Sequence, residues 1–190
     1  MLLISQNIES YDLQLPKDAV FRINMAWCNS LKELEEKLNK NKQNKFFIDL
    51  PIGRIKPPNN KYSLDEMIPI IQSHSNIQYF AVSNVESKKN LEIFLEKIPK
   101  NVIIVPKIES PTAVENIEEI CNELKYEKRI IMLDHDDLFS SIIRNNENEE
   151  KFQQYIKKLV EYCENNDILL LRTVGVVFSD DEKRITQYKK

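Results

Sequence analysis

Two glycines, Gly53 and Gly175, serve 190 residues. A phosphate-cradling loop needs several glycines close together, because backbone N–H groups must approach the ligand with no Cβ in the way. P-loop and dinucleotide-fingerprint sites are therefore excluded. Cysteine is nearly as scarce. Cys28, Cys121 and Cys163 lie far apart without metal-ligand spacing and read as reduced thiols of an intracellular protein. No apolar run nears the roughly 18 residues of a membrane span. The first residues lack a basic stretch and carry Glu9 and Asp12, so no signal peptide is expected. Formal net charge is −3, which gives no nucleic-acid footprint. A cytoplasmic protein is expected, with neither a membrane nor a nucleic acid as partner.

The run Val102–Pro111 is the most informative segment present. It starts as an apolar strand and ends in Lys107 and Glu109. Strand faces alternate with period two, so these two point the same way as Ile103 and Val105. Ser110 then reads as an N-cap and Pro111 as the first helical residue. A cation and an anion thus meet at the carboxyl end of a buried strand, where parallel α/β proteins place their active sites. A structural ion pair is the plainer reading.

Strands and helices alternate along the chain. Strand-like segments are Ala19–Met25, Phe46–Leu50, Tyr79–Ser83, Val102–Ile108, Arg129–Leu133 and Ile168–Thr173. Met1–Ser5 and Val176–Phe178 are further short candidates. Ser30–Glu33 and Ser63–Glu66 have the capping-box pattern that opens a helix. Helices are expected over Lys88–Ile98, Pro111–Leu124 and Glu149–Glu164, and no helix is expected between Leu133 and Glu149. The alternation predicts a single α/β domain over 1–190, a parallel (β/α) TIM-type barrel, short or incomplete at its ends. An incomplete barrel exposes a strand edge, so a homo-oligomer is expected.

The strand ends resemble, in order, those of the pyruvate kinase barrel domain. Phe21-Arg22-Ile23-Asn24 is similar to that family's Arg-Leu-Asn-Phe-Ser. Asp49–Lys56 is similar to Asp-x-x-Gly-Pro-x-Ile-Arg, and Phe80–Ser87 to Ile-Ala-Leu-Ser-Phe-Val-Arg-Ser. Lys107-Ile108-Glu109 matches Lys-Ile-Glu. Asp136-Asp137-Leu138 stands where the family has Gly-Asp-Leu, and Thr173 at its Ala-Thr-Gln-Met threonine. The resemblance spans roughly residues 18–180 and implies that Lys107 stabilises an enolate. It also implies Glu109 and Asp137 as ligands of Mg²⁺ or Mn²⁺, and Thr173 on the substrate with Asn24 and Ser83. Two carboxylates from neighbouring strand ends suit such oxygen-seeking ions.

The departures redirect the expected activity. Only Pro57–Tyr62 stands where the family inserts a lid. Ala26 and Leu50 replace hydroxyl residues of its potassium site, and His135-Asp136 replaces an Arg-Gly pair. ATP-dependent phosphoryl transfer is therefore not expected. Aldolases and lyases of the HpcH/HpaI and citrate lyase β type also pair a metal with an enolate and hold the oxo-acid with an arginine, a role for which Arg22 is the candidate. Their Gly-Pro-x-Asp-Leu loop is missing here. The expected function is a metal-dependent enzyme acting on pyruvate or a related small oxo-acid through an enolate, most simply a carbon–carbon lyase or decarboxylase. The alternative is an inactive relative that binds or assembles. His135 is open between a base or third metal ligand and a histidine in an acidic turn. Trp27 reads as a packing residue, Arg172 as solvent-facing or ion-paired, and His74 as a surface residue.

Overall fold

The structure is a computed structural model that describes residues 1, 3–5, 18–53, 58 and 60–172. Its strands are β1 (Leu3–Ser5), β2 (Val20–Asn24), β3 (Lys45–Leu50), β4 (Ile77–Val82), β5 (Ile103–Ile108), β6 (Arg129–Leu133) and β7 (Ile168–Arg172). They form one parallel sheet in the order of the sequence. Between them run α1 (Leu31–Lys40), α2 (Leu64–Ser73), α3 (Lys89–Lys97), α4 (Pro111–Glu115), α5 (Ile117–Asn122), α6 (His135–Arg144) and α7 (Lys151–Asn165).

Local chemistry fixes most helix starts. Ser30 Oγ accepts the Glu33 N–H, although the Glu33 carboxylate turns back to the Asn29 N–H instead of closing the box on Ser30. Ser63 and Glu66 form the full reciprocal capping box. Ser110 caps α4 with Pro111 in its first turn. The expected single helix over Pro111–Leu124 is two helices, because Asn116 (φ −92°, ψ 15°) leaves helical geometry between α4 and α5. The segment expected to be a loop after β6 is the helix α6, capped by Asp134. Val176–Phe178 and Thr173 lie outside the described residues.

Strictly sequential parallel pairing has a consequence for shape. Right-handed crossovers between consecutive strands place every helix on the same face of the sheet. On that face Phe21, Ile23, Ile48, Phe80, Ile104 and Ile131 meet helix residues such as Leu34, Met67, Leu91, Leu138 and Leu159 in the larger core. The other face carries Val20, Phe47, Ala81, Val105, Ile130, Met132 and Leu171, which pack on one another. Phe47, Ala81, Val105 and Ile130 are wholly buried. With the helices opposite, curvature of the sheet brings these side chains together. Six strands of five or six residues, edged by the three-residue β1, are thus curled into a half-barrel. A closed TIM-type barrel is not shown. Among the described residues β1 and β7 are edge strands, each paired on one side only.

The concave face changes character along the strands. Its amino-terminal and middle layers are the apolar cluster just named. Its carboxyl end is charged: Arg22, Asp49, Lys107 and Glu109 continue the inward-facing alternation of β2, β3 and β5. The half-barrel therefore ends in a polar rim above an apolar plug.

Candidate metal site

A cavity of about 570 Å³ opens at the carboxyl ends of the strands. Lys107 and Glu109 form its floor, the first as the penultimate residue of β5 and the second just beyond it. The Lys107 ammonium lies 2.6 Å from Glu109 Oε1, 3.5 Å from Asp134 Oδ2 and 3.9 Å from Asp49 Oδ2. Burial alone would push the Lys107 pKa down. Asp49, Glu109 and Asp134 together outweigh it and hold the pKa above the ordinary lysine value. Burial pushes Glu109 up, against the opposing pull of Lys107 and of the Asn84 N–H.

Asp134 and Asp137 reach the same place through the start of α6. Asp134 is the N-cap and accepts the Asp137 N–H at 3.3 Å. Both carboxylates sit where a helix amino terminus favours negative charge. One oxygen from each of Glu109, Asp134 and Asp137 lies within 4.8 Å of the other two. Ligands on opposite sides of one cation stand about 4.2 Å apart for Mg²⁺ and about 4.8 Å for Ca²⁺, from bond lengths of about 2.1 and 2.4 Å. The spacing therefore suits a single divalent ion.

Charge and hydrogen bonding point the same way. Among the described residues Arg22, Lys107 and Arg144 bring positive charge to the cavity. Glu109, Asp134, Asp136 and Asp137 line it as well, and Asp49 lies directly beneath Arg22 and Lys107. Among the described residues, acidic side chains at and under the cavity thus outnumber basic ones, which favours a cation. Among the described residues Ser83 Oγ and Asp49 Oδ1 are buried with no hydrogen-bond partner, and Ser83 lines the cavity. A buried polar atom without a partner is costly unless a ligand or water completes it.

The structure brings together six of the seven residues singled out in the sequence. Lys107, Glu109, Asp137, Arg22, Asn24 and Ser83 all line the cavity. Thr173 lies outside the described residues. Arg22, proposed for a substrate carboxylate, is engaged by Asp49: its Nε donates to Oδ2 at 3.2 Å, and Nη2 donates to the same oxygen. Asn24 Oδ1 accepts the Ala26 N–H and caps the 3₁₀ turn Met25–Trp27. That turn leaves Trp27 60% exposed on the cavity lining, so it is not the packing residue expected.

His135 stands outside the carboxylate group. Its Nε2 faces Arg172 at 3.1–3.3 Å, and its ring meets Phe152 edge-on. Burial and then Arg172 push its pKa down, against Asp134 and Asp136. The third carboxylate is Asp134, which sequence reasoning passed over. The signal was an aspartate three residues before an acid, followed by apolar Leu138 and Ile142 four apart, which marks a helix start. Asn84 was also missed. It adopts φ +54°, donates its N–H to Glu109 Oε2 at 2.6 Å and donates its side-chain amide to Ile52 O at 2.8 Å.

No family model matches the chain, and no curated protein does. The crystal structure of RipC from Yersinia pestis has a similar fold, with a TM-score of 0.60 and 15% sequence identity. The likeness covers 88% of this chain and 75% of RipC. At that identity it concerns the fold alone. The resemblance to pyruvate kinase is corrected by these findings: the fold likeness is to RipC, and the sheet is a half-barrel rather than that family's barrel. The matches that carried it were a few residues each, at strand ends. Any parallel sheet with a polar carboxyl rim supplies acids, lysines and hydroxyls at such positions.

Proposed function

We propose that the carboxyl rim of this half-barrel binds a divalent cation, Mg²⁺ or Mn²⁺, with a small oxo-acid and stabilises the acid's enolate. The observation that carries this reading is the grouping of one oxygen each from Glu109, Asp134 and Asp137 within 4.8 Å of one another, beside the Lys107 ammonium. A cation there would supply positive charge for a developing enolate oxygen. Lys107 is kept protonated by its acidic neighbours, so it acts as a fixed charge and not as a nucleophile. Arg22, a fifth exposed at its side chain, presents its free edge to a substrate carboxylate. Ser83 Oγ completes its hydrogen bonding on a substrate oxygen.

The corresponding reaction is a carbon–carbon cleavage or decarboxylation. The bond breaks with its electron pair left on the oxo-acid as an enolate, while the other fragment departs as a carbonyl compound, its hydroxyl proton passing to solvent, or as CO₂. A proton then returns to the enolate carbon, and the oxo-acid leaves. The test is proton exchange at the pyruvate methyl group in D₂O with Mg²⁺, followed by NMR. Exchange above the buffer rate, lost in Lys107→Met and Glu109→Ala, supports the reading.

One observation favours a second reading. The pairs Lys107–Glu109 and Arg22–Asp49 already compensate each other. That arrangement suits a non-catalytic protein that binds or assembles through the same fold. Cation binding without methyl exchange would favour it.

A further inference from the structure

Asn84 joins two parts of the cavity, Glu109 and the turn at Ile52, which lie 25 and 32 residues from it along the chain. Its backbone N–H donates to Glu109 Oε2 at 2.6 Å, and its side-chain amide donates to Ile52 O at 2.8 Å. Ile52 lies in a tight turn, where its N–H reaches back to Leu50 O at 2.9 Å. Gly53 follows with φ +74°, and a Cβ there would come within 3.2 Å of the Asn84 amide nitrogen. One of the chain's two glycines therefore stands where the Asn84 amide needs room and the backbone needs a positive φ. Asn84 itself has φ +54°, a conformation that asparagine tolerates better than most residues. The turn belongs to the mouth of the cavity, as does the chain's single tryptophan, Trp27.

We propose that Asn84 is a positioning residue that couples the cation site to the cavity mouth. Its N–H sets the Glu109 carboxylate, and its side chain transmits that setting to the Ile52–Gly53 turn. The inference rests on the cation reading above. A cation that draws on Glu109 competes for the electron density its Oε2 gives to the Asn84 N–H. The backbone at Asn84 adjusts, and the amide carries the adjustment to Ile52 O. The mouth beside Trp27 then differs between the free and loaded states, and substrate entry follows cation binding.

Two substitutions separate the halves of this link. Asn84→Gly keeps the N–H and the positive φ but removes the amide. Gly53→Ala keeps the amide but crowds it and strains the turn. Mg²⁺ is titrated into the full chain, and both melting temperature and Trp27 emission are followed. In wild type both respond along one binding curve, since a ligand of the native state raises its stability by mass action. In Asn84→Gly, Mg²⁺ still raises the melting temperature but the emission response is lost, and Gly53→Ala behaves alike. An Asn84→Gly protein with the full emission response overturns the proposal, and so does one whose melting temperature ignores Mg²⁺. A wild-type protein stabilised by Mg²⁺ with constant emission overturns the coupling alone. A wild-type protein that Mg²⁺ does not stabilise removes the cation reading, and the coupling with it.

Discussion

Lys107 Nζ lies 2.6 Å from Glu109 Oε1, and the two residues are only 4% and 7% exposed. At such burial each ion depends on the other for compensation. Lys107 also stands among more acids than it can neutralise, with Asp134 and Asp49 within 4 Å. Lys107→Met should therefore destabilise the protein by about 3–5 kcal/mol in urea unfolding, the usual cost of stranding buried charge. Mg²⁺ should restore part of that loss, because it replaces the missing positive charge among Glu109, Asp134 and Asp137. A Lys107→Met protein as stable as wild type would show that the ammonium compensates nothing.

Asp134 has two duties, as N-cap of α6 and as a member of the carboxylate group. Asparagine caps a helix as well as aspartate does but brings no charge. Asp134→Asn should therefore keep stability without metal within about 0.5 kcal/mol of wild type and lose most of the Mg²⁺-linked gain, while Asp134→Ala should lose about 1 kcal/mol more. Melting curves with EDTA and with Mg²⁺ check this. Equal Mg²⁺ gains in Asp134→Asn and wild type would remove Asp134 from the site.

The pH dependence follows from Glu109. Its folded pKa is raised above 4.5, first by burial. Between 4.5 and the raised value the native state binds more protons than the unfolded chain, so this group makes stability fall as pH rises through that window. A cation needs the carboxylate and competes with the proton. The Mg²⁺-linked gain should therefore be full above the raised pKa and fade as pH falls through it, at a higher pH than for an ordinary glutamate. Melting temperatures with and without Mg²⁺ from pH 4 to 8 measure it. A gain that persists undiminished to pH 4.5 would contradict the role of Glu109.

Much of this site was legible because short-range rules place it. Period two along β5 puts Lys107 and Glu109 on the Val105 face, and Ser110 with Pro111 announces the helix that follows. Asp134-His135-Asp136-Asp137 misled because four polar residues after a strand look like a turn. The helical spacing of Leu138 and Ile142, which face the core, lies beyond them and is outweighed locally by the polar run. Asp49 was legible as a strand-end acid, but not as a partner of Lys107. That contact depends on the register Asp49–Ala81–Val105 across three strands, which no local pattern encodes. Trp27 misled because an apolar residue after a strand is usually packed, whereas the Asn24-capped turn leaves it at the mouth. The alternation of strands and helices gave the sequential sheet, but closure depends on how far the sheet curls.

The cysteines offer an independent check on the outer core. Burial pushes the Cys121 thiol up to about 12, helped by Cys163 and opposed by Arg129, and pushes Cys163 up to about 11. Cys28 is raised as well, first by burial and then by Glu33. Thiolates are the reactive form, so all three thiols should react with Ellman's reagent only as fast as the protein opens. Rapid labelling of Cys121 or Cys163 in native protein at pH 8, by mass spectrometry, would contradict the burial of these two thiols.

The central claim is that Glu109, Asp134 and Asp137 hold one divalent cation. Anomalous scattering from crystals grown with Mn²⁺ and oxalate, a mimic of the pyruvate enolate, tests it most directly. The account predicts one strong manganese peak at about 2.2 Å from an oxygen of each carboxylate, with oxalate between the ion and Arg22. Saturating Mn²⁺ with no peak among these three residues would contradict it.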